Sequence, residues 1–154
     1  MNSVKEATKI SWMVDPVHSD VFFKVKYLML TTVTGYFRSF DAEALTEEDD
    51  YSRIVDIKFS AEVDSIDTNN PQRDAHLKSL DFFNAEEYKL LKFSASHYDC
   101  AMGDKLNGNL TIRNITKAVT LNIEFQGINT DGYGRSKAGF SISGKISRKE
   151  FGLT

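Results

Sequence analysis

The sequence predicts an all-β domain, mostly antiparallel, closed around an apolar interior. Three observations predict it. Apolar residues recur at every second position in six separate stretches, the mark of strands with one dry and one wet face. Clusters of turn-forming residues separate several of those stretches. Only one stretch carries the start signals of a helix.

The first alternation places Val21, Phe23, Val25 and Tyr27 on one face, with Lys24 and Lys26 between them. The lysines mark the wet side, so odd positions point inward. Phe22 breaks the pattern and is expected to touch a loop or a partner. Next, Val55, Ile57, Phe59, Ala61 and Val63 alternate with Asp56, Lys58, Ser60 and Glu62. Leu91, Phe93 and Ala95 follow, set against Lys92, Ser94 and Ser96. Leu106, Gly108, Leu110 and Ile112 form the fourth inward set, and Val119, Leu121, Ile123 and Phe125 the fifth. Phe140, Ile142, Gly144 and Ile146 form the sixth. Ile10–Val14 and Gly35–Leu45 are weaker strands, which brings the expected number to about eight.

Strands with one wet face pair antiparallel through hairpins. Asp99–Asp104 and Asn129–Gly134 are rich in turn formers and read as loops. Gly108 and Gly144 fall on the dry face, where a glycine clears room for a bulky neighbour or permits a bend. Asn70 followed by Pro71 is an N-cap with proline in the first turn, so one short helix is expected over 71–79. Phe82 and Phe83 stand in the turn after it and are expected to plug or line one end of a barrel. Glu47–Asp50 is a solvated acidic loop.

One domain of 154 residues fits this plan, with residues 1–8 as an N-terminal extension. The net charge of −3 comes with no basic stripe, which argues against nucleic acid as a partner. Cys100 is the sole cysteine, so no internal disulfide forms. No stretch approaches the roughly 18 apolar residues of a membrane helix, and MNSVKEATKISW holds no signal-like apolar run. A cytoplasmic location is expected. Eleven Phe against one Trp suit a wide interior, because Phe fills volume without adding a polar group. About eight half-buried strands allow a sandwich or a closed barrel, and an eight-stranded barrel holds one small ligand.

Several blocks are more specific. Trp12-x-Val14-Asp15-Pro16-x-His18-Ser19 leads into the Val21–Leu28 strand, followed by Gly35-x-Phe37. Ser65–Asn70, Arg73-Asp74-x-His76-Leu77 and Asp81-Phe82-Phe83 come next. Gly108-x-Leu110-Thr111-Ile112-Arg113-x-Ile115-Thr116-Lys117, Gly139-Phe140 and Arg148-x-x-Phe151-Gly152-Leu153 complete the series. In order and spacing the chain resembles the YceI-like family from about Trp12 to Leu153. The resemblance implies an extended eight-stranded antiparallel lipocalin-like barrel around a long apolar pore. It implies a polyisoprenoid, quinone-like or fatty-acyl or amide ligand, and a homodimer as a possible assembly. It also implies a final closing strand beyond the Phe-Gly-Leu block, which this sequence stops short of, so a gap, a disordered tail or an edge covered by a neighbouring chain is expected.

The chemistry-bearing residues are sparse. His18, His76 and His97 match no local metal-ligand spacing, so no metal is expected. Cys100 has no basic neighbour to activate it, and no Gly-x-Ser-x-Gly elbow is present; no catalytic residue is assigned. Arg73 and His76 share a helix face. They read either as a greeting for a polar headgroup or, the favoured alternative, as part of an Asp–Arg or Asp–backbone tether. The expected wall of the ligand site is Val21, Phe23, Val25, Tyr27, Phe37, Ile57, Phe93, Leu110, Leu121, Ile123, Phe140 and Ile142. His18, Arg73 and His76 would stand at its polar end. The function expected is binding of an elongated apolar molecule, as carrier or reservoir. The rivals are an enzyme acting on a lipid-like substrate in the same cavity, and a packed scaffold acting through its surface.

Overall fold

A computed structural model describes residues 9–15, 19–27, 31–47, 50–99, 103–130 and 136–153. The elements run β1 (Lys9–Met13), β2 (Phe22–Tyr27), β3 (Thr31–Phe37), β4 (Phe40–Glu47) and β5 (Asp50–Glu62). A 3-10 turn (Val63–Ser65), β6 (Ile66–Asp67) and α1 (Pro71–Leu77) follow. Then come β7 (Leu90–Asp99), β8 (Lys105–Ile112), β9 (Ile115–Thr130), β10 (Ser136–Ser143) and a second 3-10 turn (Arg148–Phe151). Seven strands form one curled antiparallel sheet, a half-barrel in the order β1-β4-β5-β7-β8-β9-β10. A smaller sheet has the order β2-β3-β6. All pairings among the described residues are antiparallel.

The expected alternation holds on β7 and β8. Phe93, Ala95, Leu106, Leu110 and Ile112 are buried, while Lys92, Ser94, Lys105, Asn107 and Asn109 face out. It fails at three places, each for a physical reason. Gly35–Leu45 is two strands in two sheets, not one. The bend at Arg38 and Ser39 is held by the Arg38 N–H donating to the Ser65 carbonyl (3.2 Å) and the Glu62 N–H to the Ser39 carbonyl (2.9 Å). Buried or bent backbone needs such partners. On β5 the pairing with β4 slips between Leu45 and Thr46, so Val55 is left without a β4 partner. Ile54 and Ile57, three apart, are both buried, because a bulge breaks strict period two. Finally, β10 ends at Ser143, so Gly144 and Ile146 lie past the strand.

The Asn129–Gly134 loop is also shorter than expected, since β9 runs on to Thr130 and pairs there with Ser136. The helix is the expected one but ends at Leu77. The Asn70 side chain accepts from the Arg73 N–H at 3.1 Å and Pro71 opens the first turn. The Ser79 N–H and side chain both turn back to the His76 carbonyl, a 3-10 closure that stops the helix.

The core is one cluster shared by both sheets, the loop after α1 and the C-terminal turn. Phe151 is 0% exposed. Its turn ends at Gly152, with φ of 74°, a left-handed conformation that glycine adopts without strain. The Arg113 Nη1 donates to the Gly152 carbonyl at 3.2 Å, docking this turn on the β8–β9 hairpin.

Candidate functional site

The inner face of the large sheet is a set of cross-strand rows. One row reads Ala44, Ile57, Ala95, Gly108 and Val119 across β4, β5, β7, β8 and β9. The adjacent row reads Ala42, Phe59, Phe93 and Leu110. Small residues stand among large ones, and the second row ends on β9 at exposed Lys117, so the face is largely apolar but uneven.

Glycines decide how the large residues lie. A Cβ on Gly108 would sit 2.6 Å from the Phe93 ring and 2.5 Å from the Ser94 carbonyl oxygen. A Cβ on Gly35 would sit 2.3 Å from the Phe23 ring, and one on Gly144 2.5 Å from a Leu121 methyl. Phe93 and Phe23 therefore each lie over a glycine of a neighbouring strand, and Leu121 lies against Gly144 just past the end of β10. The expectation that Gly108 and Gly144 clear room for a bulky neighbour is met, and Gly35 adds a third case.

Most residues of the expected wall come together in or against the buried core. Phe37, Ile57, Phe93, Leu110 and Ile123 are buried in the core cluster, with Val21, Phe23, Leu121 and Phe140 packed against it. Phe23 and Phe37 have ring centroids 5.6 Å apart. Val25 pairs with Val33 on the small sheet, half-buried. Ile142 departs from the expectation. It pairs with Ile123 yet is 42% exposed, because β10 is an edge strand of the described sheet. The Tyr27 side chain and all of His18 fall outside the described residues. Phe22 is 54% exposed and faces outward, with Tyr36 at 5.8 Å.

The expected polar end is built differently. The Arg73 Nε donates to the Thr68 hydroxyl (2.8 Å) and its Nη2 to the Thr68 carbonyl (2.7 Å). The Asp74 carboxylate accepts from the Thr68 N–H at 2.8 Å. Thr68 is buried, so this is the Asp–backbone tether, extended by Arg73. It satisfies polar groups that burial would otherwise leave unpaired. His76 is on the surface, its side chain 61% exposed and its Nε2 3.5 Å from the Asp81 carboxylate. Its ring meets Phe82 edge-on at 4.9 Å. Nearby, the Asn69 N–H and then the Arg38 guanidinium hold the Asp67 carboxyl below its ordinary value.

Ala44 and Ala95, not among the expected wall residues, supply the low points of the face beside Ile57; Ala95 follows from the alternation, whereas Ala44 does not. A hollow of about 180 Å³ lies elsewhere, lined by Asp104, Asn122, Ile123, Glu124, Ser141 and Ser143. It is polar, and ligand pockets usually begin near ~300 Å³. Among the described residues no group of three His, Cys, Asp or Glu side chains is placed to hold a metal. No helix among them is long and apolar enough to cross a membrane.

A curled antiparallel half-barrel with an apolar inner face is the class this geometry defines. The YceI-like domain model matches residues 12–154, and the chain belongs to that family. A UPF0312 protein of Staphylococcus epidermidis is 35% identical over 142 residues, 90% of this chain and 80% of that protein. The protein YceI of Salmonella newport is 33% identical over 139 residues, 89% of this chain and 72% of that protein. The crystal structure of the Campylobacter jejuni YceI protein superposes with a TM-score of 0.71 at 32% identity, covering 96% of this chain and 84% of that one.

Proposed function

We propose that this chain binds an elongated apolar molecule along the inner face of its large sheet, and that it acts by binding, without catalysis. The ligand class is a polyisoprenoid, quinone-like or fatty-acyl or amide lipid, held as cargo or as a reserve. The observation that carries this is the uneven apolar face, on which the Phe93 ring lies over Gly108 and small Ala44 and Ala95 flank Ile57. Such a face offers carbon contacts and a relief that a flexible chain can follow. The polar hollow beside Asp104 and Glu124 offers neither.

Energetics favour a long ligand. A buried methylene contributes about 0.8 kcal/mol, association costs at least ~4 kcal/mol, and micromolar binding needs ~8 kcal/mol net, so about 15 methylenes are required. Short alcohols and acids fall below that length.

Equilibrium titration with radiolabelled prenyl and acyl probes of graded length tests the proposal. Saturable micromolar or tighter binding of the long probes is expected. Failure of every probe at solubility-limited concentration would sink it. The second reading, a packed scaffold, is favoured by one observation: the Phe93 ring occupies the space a side chain at residue 108 would take. It predicts no saturable binding in the same titration.

A further inference from the structure

We infer that Phe83, with Phe37 and Phe23, forms a floor across one end of the apolar face and sets the length of chain the protein accepts. This rests on the binding function proposed above.

The three rings make one stack that bridges separate elements. Phe83 meets Phe37 edge-on, with centroids 6.2 Å apart at 82°, and Phe37 meets Phe23 at 5.6 Å. Phe37 and Phe23 come from the small sheet, whereas Phe83 comes from the loop between α1 and β7. That loop lies where β5 ends and β7 begins, since the Val63 N–H donates to the Lys89 carbonyl at 3.0 Å. The Phe83 ring from this loop therefore enters the shared core at the end where β5 and β7 join it.

The loop is held firmly. The Phe83 N–H donates to the Leu77 carbonyl (3.0 Å), the Asn84 N–H to the Ser79 carbonyl (2.9 Å) and the Ala85 N–H to the Lys78 carbonyl (2.9 Å). Asn84 takes a positive φ of 49° and donates its side-chain amide to Glu87 at 3.0 Å, which fixes the turn just after the ring. Gly35 completes the arrangement: any side chain there would displace the Phe23 ring from the stack. Ala61, on the same end of β5, is 0% exposed. A hydrocarbon lying along the face runs into these rings and stops. Its other end leaves toward the opposite rim, where Leu106 and Ile123 stand.

The test is a competition among prenyl alcohols of increasing length, read by native mass spectrometry on the unmodified chain and on Phe83→Ala, Phe83→Leu and the outward-facing control Phe22→Ala. The unmodified chain is expected to show a length beyond which occupancy falls at least tenfold. Phe83→Ala should move that limit up by about one isoprene unit, because the lost ring leaves a cavity at the end of the face. Phe83→Leu, the milder change that keeps the loop filled, should move it part of the way, and Phe22→Ala not at all. An unchanged limit in Phe83→Leu, or an equal shift in Phe22→Ala, overturns the floor while leaving lipid binding intact. Absence of any bound alcohol on the unmodified chain overturns the floor, and absence of binding to the acyl probes as well overturns lipid binding.

Discussion

The two ends of the large sheet are built in opposite ways. Where β5 ends and β7 begins, the small sheet, the loop carrying Phe83 and the C-terminal turn carrying Phe151 all converge on buried Ala61, Val63, Ile66 and Ile112. At the other rim, buried Thr46, Ile54, Leu106 and Ile123 come from the large sheet itself. No described element from outside that sheet is paired to it there. The difference teaches that one end is tied by several elements from outside the sheet and the other by the sheet alone; if the face admits a long ligand as proposed, the less tied rim is where it enters.

The largest expected effect separates the ends directly. Phe151→Ala should destabilise by about 3–5 kcal/mol, because a fully buried ring leaves a cavity that tied neighbours cannot fill. Leu106→Ala, at the other rim, should cost about 2–3 kcal/mol, near the lower end for a buried leucine, because its surroundings relax further. Urea unfolding of both variants checks this, and equal losses would break the contrast.

Next in size is Gly108→Ala, in the middle of the face. Its Cβ meets a backbone oxygen as well as the Phe93 ring, and overpacking of this kind costs about 1–3 kcal/mol. It should also push Phe93 away from the sheet and weaken probe binding; stability and affinity are measured on the same sample. A smaller loss, about 1 kcal/mol, is expected for Asn70→Ala, which removes the helix N-cap. Urea titration reads it, and the Thr68–Asp74 tether should keep the helix in place.

The smallest effect concerns acid. The Asp67 carboxyl titrates below its ordinary 3.8 in the folded chain. A depressed folded value adds stability above the unfolded value, and that increment is lost as pH falls through the folded one. Asp67→Asn should therefore lower stability slightly at neutral pH, where the increment from the Asn69 N–H and Arg38 is fully present, and flatten the fall below about pH 4. Unfolding across the acid range measures it.

Much of this was readable from residue order. Lys24, Lys92 and Asn107 mark the wet faces of their strands, and the wall residues of β7 and β8 follow by parity. Asn70-Pro71 marks the helix start, and Asp74 was readable as a tether. The rest depended on contacts far apart in sequence. The bulge that buries Ile54 and sets Val55 aside arises from pairing with β4, which no local pattern encodes. The split at Arg38 needs Ser65 to hold it. Ile142 reads as inward by parity and is exposed because its strand is at an edge. Phe83 was legible as a residue placed to plug or line one end, but its partner Phe37, and Phe23 beyond it, lie in another sheet.

The central claim is that the inner face holds an apolar chain. Native mass spectrometry of the protein purified from its own cells without detergent, with extraction and identification of any released lipid, tests it most directly. A population heavier than the bare chain by one prenyl or acyl lipid, lost on solvent extraction, is predicted. Bare chain alone, still bare after incubation with those lipids, would contradict it.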